Sequence, residues 1–387
     1  MDTMVSTDAQ IPLGEELRRT LGQIVLVLQG GGALGAYQVG VYQALHEAGI
    51  EPDWVIGTSI GAINASLIAG NPPERRLERL LAFWSQVEHS DWQTMLAEWP
   101  GVGSMMATWM TMAHGVKGFF EPNPLAFAGR HTPLRPEAAG YYRTAPLRDT
   151  LNRLVDFKLI ESGGCRLTVG AANVRTSEMT YFDSRHMRLD AEHVMASGAL
   201  PPAFPPVRVD DDLYWDGGIL SNTPVEAVFD DYPRRSSLIF AVHLWNPHGP
   251  EPRSIWDVGN RQKDVQYSSR AASHIQKQKQ LHRLRHIIAE LTEKLPSQLR
   301  DDPEVQEYAG WGCLTQMHVV RLLAPRLQHE DHLKDIDFSR EGIRQRRLAG
   351  YQHALGMLKM APWKKPVDKL EGAILHESEA PDLAITY

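Results

Sequence analysis

Three short stretches of the chain hold the residue types that nucleophilic chemistry needs. The first, Gly30-Gly31-Gly32-Ala33-Leu34-Gly35, follows the apolar run Ile24–Leu28 and precedes a helical pattern from about Gly35 to His46. Glycines there let the backbone turn sharply and present successive N–H groups beside the positive end of a helix. The cluster formally satisfies G-x-G-x-x-G, so a dinucleotide-binding oxidoreductase is one reading. The same donors suit an oxyanion formed in acyl transfer. A third reading is a tight turn with close helix packing. On this motif by itself the three stand level.

The second stretch separates them. A dinucleotide fold wants an acidic residue at the end of its second strand to hold the ribose. Here Asp53-Trp54-Val55-Ile56 runs instead into Gly57-Thr58-Ser59-Ile60-Gly61, followed by a helical pattern to Ala69. This is G-x-S-x-G at a strand-to-helix turn, the context in which the motif carries meaning. Gly57 and Gly61 remove side chains that would clash in the elbow, and Ser59 is thrust out above the sheet. A serine hydroxyl needs a base. Asp216-Gly217-Gly218 supplies one after Leu213-Tyr214-Trp215, and its two glycines leave room for close approach. His243 follows in the Ser…Asp…His order of α/β-hydrolase triads, but it lies within the buried-strand pattern SLIFAVHL and is expected to be structural. Asp210, Asp211 and Asp212 read as a hairpin turn rather than a cation site. His282 and His286 share a helical face without a ligating acid, so no metal is expected.

Glycine loop, G-x-S-x-G and D-G-G, in this order, resemble the patatin-like phospholipases. The segment Ala196-Ser197-Gly198-Ala199-Leu200-Pro201-Pro202-Ala203-Phe204-Pro205-Pro206-Val207 strengthens the likeness, being similar to the A-S-x-A-x-P…F-P-P block of bacterial members. The resemblance covers about residues 22–245. It implies a three-layer α/β/α fold with a mainly parallel sheet and a Ser59–Asp216 dyad in place of a triad. Oxyanion donors would come from the loop carrying Gly30, Gly31, Gly32 and Gly35, with Gly31 and Gly32 foremost; Gly57, Gly61, Gly217 and Gly218 shape the motifs. No cofactor is implied, and the expected substrate is a lipid or other acyl ester. One position departs from the pattern: many members carry Lys or Arg where this chain has Leu34. The alternatives are the dinucleotide enzyme at Gly30–Gly35 and a non-catalytic acyl-lipid binder with an inaccessible Ser59.

The elements that must position these groups follow a β-loop-α-β-turn-α rhythm, which implies parallel strands. Further strands are expected at 166–174, 179–183 and 237–244, with a hairpin over 207–215. Residues 1–20 read as a flexible arm, 21–250 as the catalytic domain, 251–361 as a helical C-terminal extension and 362–387 as a tail. Within 88–140 the rhythm is lost and Trp92, Met95, Trp99, Met105, Met106, Trp109, Met110, Met112, Phe119 and Phe120 gather, which suits a lid or acyl-chain wall. From Arg261 to about Leu295 apolar residues recur at helical spacing: Val265, Ala271, Ile275, Leu281, Leu284, Ile288 and Leu291. Between 261 and 286 that stretch holds seven Lys and Arg against Asp264 alone, a candidate for peripheral membrane contact.

Composition bounds the rest. The chain has 387 residues, 43% hydrophobic and 22% charged, enough apolar surface for a large core. The net charge of -7 divides unevenly: residues 1–260 hold 20 basic against 30 acidic groups, the remainder 20 against 17. So acidic a main body lacks the basic footprint of a nucleic-acid binder. Two cysteines exclude a disulfide framework, and the start lacks the basic and apolar regions of a secretory signal. A cytoplasmic protein is expected.

Overall fold

Short apolar runs build the sheet. In the computed structural model, which describes residues 12–88, 113–127, 134–327, 330 and 333–377, QIVLVL forms β1 (Gln23–Leu28). Its partners are β2 (Trp54–Gly57), β3 (Arg166–Asn173), β4 (Met179–Asp183), β5 (Val207–Val209), β6 (Asp212–Asp216), β7 (Ser237–His243), β8 (Met317–Leu323) and β9 (Ala373–Glu377). The strand order is β9-β8-β7-β1-β2-β3-β6-β5, with β4 also paired to β3. Pairing is parallel from β9 through to β3, and β4, β5 and β6 join antiparallel.

The helices that position the site are α1 (Leu13–Leu21), α2 (Ala36–Glu47), α3 (Ile60–Ala69), α4 (Pro73–Val87), α5 (Ala145–Leu154), α6 (Ala191–Ser197), α7 (Ile255–Glu293) and α8 (Arg340–Met360). Strand alternation divides them into two layers. Ile24, Leu26 and Leu28 of β1 pack in one cluster with Tyr37, Tyr42, Phe83, Trp84 and Met357 of α2, α4 and α8. Val25 and Val27 point the other way, toward Phe229 and toward Ile275 of α7. A parallel sheet covered on both faces explains why these strands are unbroken apolar runs. The three-layer α/β/α arrangement is thus present. Among the described residues no helix is long and apolar enough to cross a membrane.

Several expectations need correction. Residues 13–20 are not a loose arm: they belong to α1, where Leu17 is buried and Arg18 pairs with Asp53 at 2.7 Å. Residues 1–11 lie outside the described part. The C-terminal segment is largely helical, yet it also adds β8 and β9 to the main sheet, β8 directly against β7. The tail contributes β9, so residues 373–377 are held by a strand ladder rather than frayed. The acidic hairpin turn is confined to Asp210 and Asp211, because Asp212 already pairs with Val209.

The apolar stripe expected on α7 is only partly its buried face: Ile275 joins the core, and other members of the stripe face outward. Leu284 and Leu291 are 56% and 60% exposed, whereas Asp264, Ser268, Gln278, His282 and His286 are buried. Polar groups can be buried when each finds a partner. Asp264 takes Arg326 and Lys334, while both histidine Nε2 atoms meet the Thr315 carbonyl, at 3.0 and 2.8 Å. Most of the Met- and Trp-rich stretch, from Trp92 to Met112, lies outside the described residues, so the lid expectation has structural content at Phe119 and Phe120 alone.

Candidate active site

The site forms where three turns meet above the carboxyl ends of β1, β2 and β6. Leaving β2, the chain bends so tightly that a Cβ at Gly57 would overlap the Gly61 backbone, and one at Gly61 would overlap the Leu28 carbonyl. Ser59 sits at the apex with φ 57° and ψ -126°, a conformation L-residues rarely adopt. Helix α3 begins at the next residue, which directs the positive end of its dipole toward the serine. Ser197 fixes the elbow: its hydroxyl and carbonyl both accept from the Ser59 N–H at 3.1 Å, and its hydroxyl donates to Gly170 O at 2.6 Å.

Asp216 ends β6 and is 2% exposed. Burial lifts its pKa to about 6, against the lowering effect of hydrogen bonds from the Ser59 hydroxyl and the Gly218 N–H, the latter at 2.7 Å. Gly217 lies so close to β3 that a Cβ would strike the Gly170 carbonyl. His243 is not among the partners of Asp216. It is buried in β7 with a pKa pushed down to about 3, first by desolvation and then by Arg321. The triad order of the sequence therefore does not translate into contact.

The glycine loop divides its amides unequally. Gly30 donates to Asn222 O at 3.2 Å, Ala33 to Asp335 O at 2.8 Å and Leu34 to Gly31 O at 3.1 Å, while Gly35 lies in the one-turn 3-10 helix Gly32–Gly35. Among the described residues no acceptor takes the N–H of Gly31 or Gly32, and both glycines line the same pocket as Ser59. That pocket has a volume of about 240 Å³. Phe119, Phe120, Tyr142, Leu200, Phe204, Ile336 and Phe338 make its walls apolar, and Asp216, Asn222, Trp245, Tyr267 and Asp335 supply its polar edge. No lysine or arginine is among these lining residues, and Leu34 is buried away from solvent.

The residues that hold the loop left little trace in the sequence. Asn222 Nδ2 and Trp245 Nε1 both donate to Gly30 O, at 3.1 and 2.8 Å. Gln29 Oε1 accepts from the backbone of Leu244 at 2.5 Å and of Trp245 at 3.0 Å, and its Nε2 reaches Thr223 at 2.7 Å. Asn64 bridges Gly35 O and Gln38, and Trp84 donates to Asn64. A polar residue six places beyond Asp216 and another just after the 237–243 strand were the available signals, since both follow strand ends that deliver chain to the site. Among the described residues no cluster of His, Cys, Asp or Glu could hold a metal ion.

Comparison with known proteins identifies the family. A family model described as patatin-like phospholipase matches residues 26–229, and a second, described as patatin phospholipase, matches residues 265–370. Patatin-like phospholipase domain-containing protein ZK370.4 of Caenorhabditis elegans is 30% identical over 206 residues, which span 53% of this chain and 12% of that protein. Lysophospholipase nte1 of Aspergillus terreus is 60% identical over 53 residues, 13% of this chain and 4% of that one. Triacylglycerol lipase ptl3 of Schizosaccharomyces pombe is 42% identical over 65 residues, 17% of this chain and 14% of that one. The chain thus spans well under a fifth of the length of each of these relatives. Among solved structures, VipD of Legionella pneumophila aligns over 92% of this chain and 72% of its own, at 18% identity and a TM-score of 0.37. The first family model covers more than half of the 387 residues, and the chain belongs to the patatin-like phospholipase family.

Proposed function

We propose that this protein is a serine acyl hydrolase that cleaves lipid esters through an acyl-enzyme. Ser59 is the nucleophile, Asp216 the general base, and the N–H groups of Gly31 and Gly32 the oxyanion donors. One observation carries the reading: a serine raised on a strained elbow into an apolar pocket, hydrogen-bonded to a buried carboxylate whose pKa is lifted to about 6. A carboxylate at its ordinary pKa would be a poor base for a serine hydroxyl, and desolvation improves the match.

As Ser59 Oγ attacks the ester carbonyl, Asp216 takes its proton and the carbonyl oxygen becomes an oxyanion facing the two glycine donors. Collapse breaks the bond to the alcohol, which leaves with the proton from Asp216. Water, giving its proton to Asp216, then attacks the acyl-enzyme and frees the acid and Ser59. Each oxyanion donor contributes roughly 3 kcal/mol to such a barrier. Aromatic walls suit an acyl chain. The Asp216 carboxylate, in a pocket lining without lysine or arginine, favours an uncharged or zwitterionic ester over one with net negative charge at the scissile bond. The same charge opposes a pyrophosphate at the loop, which counts against the dinucleotide alternative.

A fluorophosphonate probe followed by peptide mass mapping tests the assignment. Label is expected on Ser59 and absent in Ser59→Ala; a folded native protein that stays unlabelled would favour the non-catalytic lipid binder. The reading extends to a lipid surface at the basic helix 261–286, where Leu281 and Leu284 of α7 are exposed beside Lys277 and Arg283. Vesicles containing anionic lipid should pellet more protein than neutral ones, and equal pelleting removes the membrane contact.

A further inference from the structure

Residues of the C-terminal segment reach the catalytic pocket by an indirect route. Asp264, in α7, is 0% exposed and receives two cations: Lys334 Nζ at 2.7 Å, itself 4% exposed, and Arg326 Nη2 at 2.8 Å. The residue after Lys334 supplies the carbonyl that accepts the Ala33 N–H at 2.8 Å. That carbonyl backs Gly32 so closely that a Cβ there would overlap it, and Gly32 has φ 55°. A cation from α7 itself, Lys263, holds the Asp335 carboxylate at 2.6 Å. Lys334 Nζ also lies 5.3 Å from the ring centre of Trp245, the residue that donates to Gly30 O. Tyr267, one turn along α7 from Asp264, packs on the same Trp245 ring, with 5.0 Å between centroids and planes tilted by 34°.

A buried ion pair is a poor source of stability, because desolvation offsets most of its Coulomb attraction and an apolar replacement often serves as well. What such a pair supplies is a fixed geometry, here for the strap bearing Asp335, Ile336 and Phe338. The strap touches the glycine loop on the side of Gly32 and Ala33, next to the two amides that have no acceptor. We propose that the Asp264–Lys334 pair, seconded by Lys263–Asp335, is a positioning device for the oxyanion loop. The C-terminal segment is then part of the catalytic apparatus, acting on turnover more than on substrate affinity. This rests on the proposed role of Gly31 and Gly32.

The test combines a readout that depends on the reaction with one that does not. The paired replacement Asp264→Asn with Lys334→Met removes both charges of the buried pair together, and Arg326, the other partner of Asp264, is 33% exposed and stays in reach of water. Hydrogen exchange of a peptide covering residues 29–37 should quicken in this variant relative to the native protein. For a chromogenic ester, kcat should fall about 10- to 100-fold while KM changes less than about threefold. Lys334→Arg alone, with Asp264 in place, should keep most of the native rate. Lys263→Met alters a side chain that is 31% exposed and removes the second clamp without disturbing the core. It should show the same split with a smaller loss of kcat, about threefold or more.

Unchanged exchange at 29–37 in a folded double variant overturns the positioning role, and so does an unchanged kcat. If the double variant does not fold, Lys263→Met decides: native exchange and native kcat overturn the proposal. Failure of the catalytic reading looks different, since exchange would respond while the native protein neither hydrolysed esters nor took the probe.

Discussion

Replacing Ser59 with glycine should abolish ester cleavage and at the same time leave the fold more stable than alanine does at that position. Loss of the nucleophile is expected to lower kcat by at least ~10³-fold, the range seen when a residue acting as part of a unit is removed. The gain in stability comes from the backbone. Ser59 is held at φ 57° and ψ -126°, where a Cβ is disfavoured, and strain of this kind costs on the order of 1–3 kcal/mol. Glycine relieves it but loses more conformational freedom on folding, about 0.5–1 kcal/mol, so it should exceed alanine at this position by about 1 kcal/mol, both variants having lost the hydroxyl's hydrogen bond to Asp216. Ser59→Ala separates the two effects, because alanine keeps the Cβ. It should be as inactive as the glycine variant without matching its stability. Urea unfolding of the three proteins at one pH provides the comparison. If Ser59→Gly proves less stable than Ser59→Ala, the elbow stores no strain and the geometry ascribed to the nucleophile is wrong.

That elbow was legible in the sequence because the chemistry of a sharp turn is local: two glycines, a serine, a strand before and a helix after. Asp216 was legible for a related reason, since a hairpin strand ending in Asp-Gly-Gly delivers its carboxylate at a predictable place. The rest depends on contacts between distant segments. Gln29 and Gln38 look like ordinary polar residues flanking the loop, and only the fold shows Gln29 bridging Thr223 and the Leu244–Trp245 backbone. The run MHVVRLL was short and isolated enough to pass unnoticed as β8, although its pairing with β7 extends the sheet by two strands. On α7 the apolar spacing misled, because hydrophobic periodicity assumes that polar residues face water. Here Asp264, His282 and His286 face inward, where Asp264 meets Lys334 and Arg326 and both imidazoles bond the Thr315 carbonyl through Nε2, leaving His282 Nδ1 without a partner. Periodicity finds faces that bury oil. It does not find faces that bury hydrogen bonds.

Asp216→Asn should cost nearly as much activity as loss of the serine, and it should remove a pH-dependent penalty on stability. In the native protein burial raises the carboxyl from 3.8 to about 6, so the folded state binds a proton more tightly than the unfolded chain. Folding is therefore least penalised below pH ~4, where both states are protonated. The penalty grows as pH rises from ~4 to ~6 and is complete above that, at about 3 kcal/mol. Asparagine is neutral throughout. Near pH 4 the variant should match the native protein, and above pH 7 it should be more stable, by a margin on the order of 1–3 kcal/mol once the lost Ser59 and Gly218 hydrogen bonds are weighed. Activity runs the opposite way, because the base must be ionised to accept the serine proton. Native kcat/KM should rise with pH and reach half its plateau near pH 6, the folded-state value of Asp216. The asparagine variant should retain at most about a thousandth of that rate, with no rise near pH 6. A variant that kept the native pH profile would show that another group is the base, and the Ser59–Asp216 pair would have to be abandoned.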